Sequence, residues 1–164
     1  MLIEALQYCP ENVTAMLVGD ALFGEQTYVS QLHHQIKRLN LEHRVHFLGR
    51  RSDIPQLMAA CDLVTHTSTA PEPFGRVIVE AMLCGTPAVA AAAGGAVELI
   101  DHGQTGWLTP SGNVPKLAEV INACQRDPSR AQVLAQTAQT HASQRFRLDT
   151  PNAKLAQLLT ASIR

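Results

Sequence analysis

The chain has 164 residues, 46% hydrophobic and 16% charged, the profile of one folded domain with a core of its own. That apolar content excludes a disordered chain. Thirteen basic against fourteen acidic residues, a net charge of −1, exclude a general nucleic-acid or polybasic membrane binder. Aromatics at 4% leave few platforms for stacking bases.

Short apolar runs alternate with helical periodicity. Met1 to Tyr8 reads as the tail of a helix, closed by Pro10. Thr14 to Val18 is a buried strand ending at Gly19-Asp20. In Glu25 to Asn40, Val29, Leu32, Ile36 and Leu39 lie on one face, so an amphipathic helix is expected. Val45 to Leu48 is a strand ending at Gly49. Ser52 or Asp53 caps a helix through Cys61, with Pro55 in its first turn. Leu63 to His66 is a strand and Thr67 to Phe74 a polar loop. Arg76 to Leu83 is a helix, stopped by Gly85 in a left-handed cap. Ala88 to Ala92 is a strand, Ala96 to Asp101 a short helix, and Gly106 to Thr109 the last strand. Val114 to Cys124, Pro128 to Gln144 and Pro151 to Ile163 are helices.

This alternation predicts a single α/β unit, a doubly wound parallel sheet with helices on both faces. In such sheets ligands bind beyond the carboxyl ends of the strands. Those ends are Gly19-Asp20, Gly49-Arg50-Arg51, Thr67 to Gly75, and Ala93-Gly94-Gly95.

The four cysteines (Cys9, Cys61, Cys84, Cys124) are widely spaced, without a CxxC, and read as small buried hydrophobes of a reducing cytosol. The seven histidines form no HExxH or HxH, so no protein-built metal site is expected. No signal-like stretch opens the sequence and no apolar run approaches the ~18 residues of a membrane span. A cytoplasmic protein is expected.

The chemistry concentrates in Ala70 to Met82, which runs from a strand end into a helix. Gly75 lets the backbone approach a ligand closely. The free N–H groups of Gly75, Arg76 and Val77 suit an anion at the helix N-terminus. Glu80, a turn further in, can accept two hydrogen bonds from a vicinal diol such as ribose. Glu72 can accept from a sugar hydroxyl or steady positive charge at an anomeric carbon. Acidic residues near a helix N-terminus also stabilise its dipole without any ligand. The stiff Pro73-Phe74-Gly75 loop exceeds what a cap requires.

Glu72 to Glu80 forms an E-x7-E pattern that resembles retaining glycosyltransferases of the GT-B superfamily (family 4, "group 1"). Val45-His46-Phe47-Leu48-Gly49 is similar to that family's "VxFLG" strand, and Cys61-Asp62-Leu63-Val64 to its "aDlv". Glu80-Ala81-Met82 with Gly85-Thr86-Pro87-Ala88-Val89-Ala90 is similar to "EAMxxGtPvva". Gly94 to Ile100 followed by His102 to Leu108 is similar to "GGxxEli…hGxTGwL". The agreement runs in order from Leu17 to Glu119.

The resemblance implies the C-terminal, nucleotide-sugar-binding half of a two-domain enzyme: residues 1–164 form one domain, incomplete relative to the family. Glu80 would hold the ribose hydroxyls, and Glu72, as the catalytic residue, would contact the donor sugar. Backbone N–H groups around Phe74, Gly75 and Arg76 would face the sugar and diphosphate. Gly49 and Arg50, with Arg51, would border the base, and Gly94 and Gly95 would let the next loop pass close. The donor would be a nucleoside diphosphate sugar, used with retention and with neither a cofactor nor a protein-held metal. Nucleic acid is not an expected partner, and any peripheral membrane link would come only through the absent domain.

Three departures matter. Pro73 stands where many members have Gly and stiffens the loop. Gly19-Asp20-Ala21-Leu22 lacks the second glycine of "GDGP". The family's opening strand, whose "GR…KG" cations grip the diphosphate, has no counterpart, since Met1 to Leu6 matches the helix after it. Each such contact is worth ~1.5–3 kcal/mol, and Arg50, Arg51 and Arg76 are the nearby candidates to compensate. In the 3-2-1-4-5-6 order that strand lies at the sheet centre. Either Thr14–Val18 and Leu63–His66 pair directly, or another chain fills the slot: the missing N-terminal domain or a second copy.

His66 ends a strand beside the Glu72 loop, either touching the donor or packed and hydrogen-bonded. Trp107 reads as core. Leu155, Leu158, Leu159 and Ile163 form a stripe that folds onto the sheet or makes a dimer surface. The sequence is thus read as the donor-binding part of a hexosyl-transferring enzyme, with little or no transfer by the chain alone. The alternatives are a non-catalytic nucleotide-sugar-binding or assembly module complementing a separate N-terminal domain, and an epimerase, for which acid/base candidates are lacking.

Overall fold

The computed structural model describes residues 1–21, 26–68 and 70–146. The expected helix over Pro151 to Ile163 lies outside them. In chain order the elements are α1 (Leu2–Ala5), continued by a 3-10 turn at Leu6–Tyr8, β1 (Ala15–Val18), α2 (Gln26–Arg38), β2 (Val45–Gly49), α3 (Ile54–Ala60), β3 (Val64–His66), α4 (Arg76–Leu83), β4 (Ala88–Ala91), α5 (Ala96–Leu99), β5 (Trp107–Thr109), α6 (Val114–Arg126) and α7 (Pro128–Arg145).

Every strand pairing among the described residues is parallel, but the strands form two sheets. One is β1-β2, with Ala15 opposite Val45 and Leu17 opposite Phe47, then a one-residue register shift that sets Val18 opposite Gly49. The other is β3-β4-β5, with His66 opposite Ala90 and Ala91 opposite Thr109. This corrects the single continuous sheet expected from the alternation. It also decides one of the two alternatives left open by the sequence: β1 and β3 do not pair.

Backbone alternation shows what each edge does. Ala15 N–H donates to Arg44 O (2.7 Å) and Gly19 N–H to Gly49 O (2.9 Å), so the β2-facing donors of β1 are the odd-numbered ones. The N–H groups of Met16 and Val18 therefore point the other way. On β3, Val64 N–H donates to Pro87 O at 2.9 Å, which turns Thr65 N–H away from β4. Met16, Val18 and Thr65 all line one groove of about 1300 Å³. The groove is the space between the two sheets.

The core divides accordingly. β4 is buried on both faces: Val89 joins Trp107, Leu117, Ala118 and Ile121 on the α6 side, and Ala90 joins Ile78, Met82, Leu99 and Ala138 on the α4 side. Helices on both faces of a parallel strand make the arrangement doubly wound and Rossmann-like. Trp107 packs in the core, as its sequence context suggested. Around β1 and β2 a separate cluster forms from Ile3, Leu6, Ala15, Ile36, Leu41 and Val45. There the buried Arg44 guanidinium donates to the carbonyls of Val13, Pro10 and Cys9, fixing the turn before β1.

Candidate functional site

The loop from β3 to α4 is placed by close backbone packing. Gly94 has φ +56°, and a β-carbon there would lie 2.2 Å from the Glu72 carbonyl oxygen. A β-carbon on Gly95 would lie 2.5 Å from the Phe74 carbonyl oxygen. Gly95 N–H donates to Glu72 O at 2.8 Å. The loop after β4 thus lies directly against residues 72–74. Two glycines suit that contact because no other residue leaves the space.

Gly75 begins α4 in the left-handed region, with φ 89° and ψ 53°. No side chain caps this helix. In its first turn Ile78 N–H donates back to Gly75 O at 3.0 Å, which leaves the N–H groups of Arg76 and Val77 without an intrahelical partner at the positive end of the dipole. Gly85, at φ +70° just past Cys84, closes the other end. The buried face of α4 carries Ile78, Val79, Ala81 and Met82.

Glu80 lies one turn inside α4. Its carboxylate is 40% exposed and receives a long contact, 3.4 Å, from the freely exposed Arg76 guanidinium. At the start of the loop, Glu72 is 40% exposed and its Oε2 lies 2.5 Å from His66 Nε2. Phe74 is half exposed, and Phe146 at the end of α7 meets it edge-on at 5.9 Å. Arg145 donates to Glu98 O at 2.7 Å, tying α7 to α5 beside this contact. The sequence placed His66 beside the Glu72 loop without naming Glu72 as its partner, and it did not assign Phe146 to the site. A strand-terminal histidine six residues before the glutamate was the available signal for the first. For Phe146, the aromatic after a helical run gave no direction.

At the end of β2, Gly49 has φ +62° and lines the inter-sheet groove. Arg50 is exposed. Arg51 is held elsewhere by a bidentate pair with Asp53, at 2.9 and 2.7 Å. That bond also lowers the Asp53 carboxyl below its ordinary range. Asp53 occupies the N-cap position of α3, but its carboxylate makes no cap hydrogen bond, which corrects the expected side-chain cap. The sequence-predicted residues fall into two groups. Glu72, Phe74, Gly75, Gly94 and Gly95 are brought into one tight loop pair, with Arg76 and Glu80 on the helix leaving it. Gly49 and Arg50 sit at the β2 end, across the groove. The groove itself is lined by Thr67, Ser68 and Ala70 but stops short of both glutamates.

Among the described residues, no three His, Cys, Asp or Glu side chains gather as a metal site. Likewise no described helix is long and apolar enough to cross a membrane. The four thiols are unpaired. Cys9 and Cys124 are buried while Cys61 and Cys84 are half-buried, so only two are core residues. Burial, with Asp62 nearby, pushes the Cys124 thiol up to about 11.

Residues 1–141 match the family described as glycosyl transferases group 1. The chain belongs to that family. As a group 1 glycosyltransferase chain it is 34% identical over 132 residues to the N-acetyl-alpha-D-glucosaminyl L-malate synthase of Bacillus anthracis, covering 80% of this chain and 33% of that protein. It is 33% identical over 157 residues to the D-inositol 3-phosphate glycosyltransferase of Xylanimonas cellulosilytica, 94% of this chain and 37% of the relative. Among solved structures, Anabaena Alr3699/HepE in complex with UDP is 63% identical with a TM-score of 0.95, over 98% of this chain and 44% of that one. The same protein with UDP-glucose gives a TM-score of 0.93. The C-terminal domain of LpcC from Francisella tularensis, at 23% identity and a TM-score of 0.81, shares the fold. The group 1 chain thus spans about a third of its curated relatives' length and 44% of HepE.

Proposed function

We propose that this chain is the donor-binding, C-terminal part of a retaining glycosyltransferase, taking a UDP-hexose of the UDP-glucose type. The observation that carries the reading is the uncapped N-terminus of α4, entered through left-handed Gly75, with Glu72 before it and Glu80 one turn inside. The negative diphosphate docks on the first-turn N–H groups, which are aimed at a developing anion and require no reorganisation. Glu80 accepts from the ribose hydroxyls. Glu72 accepts from the hexose and orients C1 as its bond to the diphosphate breaks. Gly49 and Arg50 border the base, and Gly94 and Gly95 close the loop behind the sugar. The uracil base is taken from the 63% identical Anabaena protein, whose structures hold UDP and UDP-glucose.

The gap between β1 and β3 supports a partner. The edges of β1 and β3 that face the groove carry the unpaired N–H groups of Met16, Val18 and Thr65, with Met16 and Val18 themselves exposed, and an extended strand entering the groove would pair them. The occupant proposed is polypeptide corresponding to the part of the relatives that this chain does not span. It would also bring the acceptor site, so the chain alone binds donor and transfers little. Work in a cytoplasmic setting fits this reading.

Calorimetric titration with UDP, GDP and ADP, alongside Glu80→Ala, tests it. UDP is expected to bind best and to lose roughly ten- to hundred-fold in the variant. UDP binding untouched by Glu80→Ala would reject the ribose assignment.

A further inference from the structure

Resting on the reading of Glu72 as the donor-sugar contact, we infer that His66 is a positioning residue for Glu72 and so sets the preference for a sugar-bearing nucleotide over the bare diphosphate. The glutamate is anchored at two points. Its carbonyl takes the Gly95 N–H at 2.8 Å, and its Oε2 lies 2.5 Å from His66 Nε2. The Glu72 side chain is 40% exposed, whereas that of His66 is only 14% exposed at the end of β3. A half-exposed glutamate otherwise samples many rotamers.

An ionised carboxylate only accepts, so Nε2 carries the hydrogen. The other ring nitrogen, Nδ1, is buried without a partner. Among the described residues Glu72 is therefore the sole hydrogen-bond partner of this ring. An apolar side chain would fill the same space without stranding a nitrogen, so the histidine is explained by what it does to Glu72. With Oε2 engaged by His66, Oε1 is the oxygen left to accept from a hexose hydroxyl.

The test separates a donor role from a packing role. His66→Gln places an amide N–H near the Nε2 position, while His66→Leu keeps bulk and removes the donor. UDP and UDP-glucose are titrated into the unsubstituted chain and both variants. The unsubstituted chain is expected to favour UDP-glucose by about tenfold. That preference should survive in His66→Gln and vanish in His66→Leu, with UDP affinity unchanged in both. Preference kept in His66→Leu, or lost equally in both variants, overturns the inference. UDP binding without any UDP-glucose preference in the unsubstituted chain also overturns it, leaving the nucleotide reading intact. Binding of neither ligand removes the functional reading and this inference together. Long-range ¹H–¹⁵N NMR of the His66 ring does not depend on the His66 variants folding. A protonated Nε2 that shifts in Glu72→Ala supports the inference, and a ring protonated only at Nδ1 refutes it.

Discussion

Gly94 and Glu72 touch so closely that the glycine's missing β-carbon would sit 2.2 Å from the glutamate's carbonyl oxygen. The site loop is therefore packed backbone against backbone on this side. Gly94→Ala must move the Glu72 backbone and also hold φ +56° with a β-carbon. A cost of about 2–4 kcal/mol is expected, a fall of roughly 5–12 °C in Tm by circular dichroism. Gly103→Ala is the control: its φ of +77° is as awkward, but nothing lies within 4 Å, so about 1–2 kcal/mol is expected. Equal losses would show that the close approach is immaterial.

The open edges of β1 and β3 should be visible in hydrogen exchange. The amides of Met16, Val18 and Thr65 face the groove, whereas Ala90 lies on a strand paired on both sides. Exchange at the first three is expected to run roughly a hundredfold faster than at Ala90. A polypeptide supplying the strand should slow them selectively. Equal protection in the chain alone would mean that the groove's edges are already satisfied.

Cys124 gives a pH signature. Its thiol is raised from an ordinary value near 9 to about 11, by burial first and by Asp62 second. Above pH 9 the unfolded chain releases this proton and the folded chain keeps it, so stability falls as pH rises from about 9 to about 11. Below pH 9 the thiol is neutral in both states and contributes no slope. Thermal melts from pH 8 to 10.5 should fall more steeply for the unsubstituted chain than for Cys124→Ala. Parallel slopes would contradict the burial argument.

Local signals carried most of the fold. Periodicity with a left-handed Gly85 set α4 at Arg76–Leu83, and short apolar runs between glycines set the strands to within a residue. The missing central strand made a gap between Thr14–Val18 and Leu63–His66 one of two open alternatives, but the alternation alone could not choose the split into two sheets. Strand neighbours are non-local, and the alternation of β and α is the same whether or not a central strand is present. Asp53 was legible as a cap position, but its carboxylate had a stronger charged partner in Arg51. In the site, the Glu72–Glu80 spacing and the glycines were readable. His66 was readable as a residue beside the Glu72 loop, either touching the donor or hydrogen-bonded; that its partner is Glu72 was not, because that depends on how a polar loop folds back across the end of β3.

The central claim is that Glu80 clasps the ribose, and a cycle between protein and ligand tests it most directly. UDP and 2′,3′-dideoxy-UDP are titrated into the unsubstituted chain and into Glu80→Ala. If the carboxylate binds the diol, each single change weakens binding roughly tenfold or more, and both together weaken it little further than one alone. Losses that simply multiply would show that Glu80 and the ribose hydroxyls act independently, and that the carboxylate does not hold the diol.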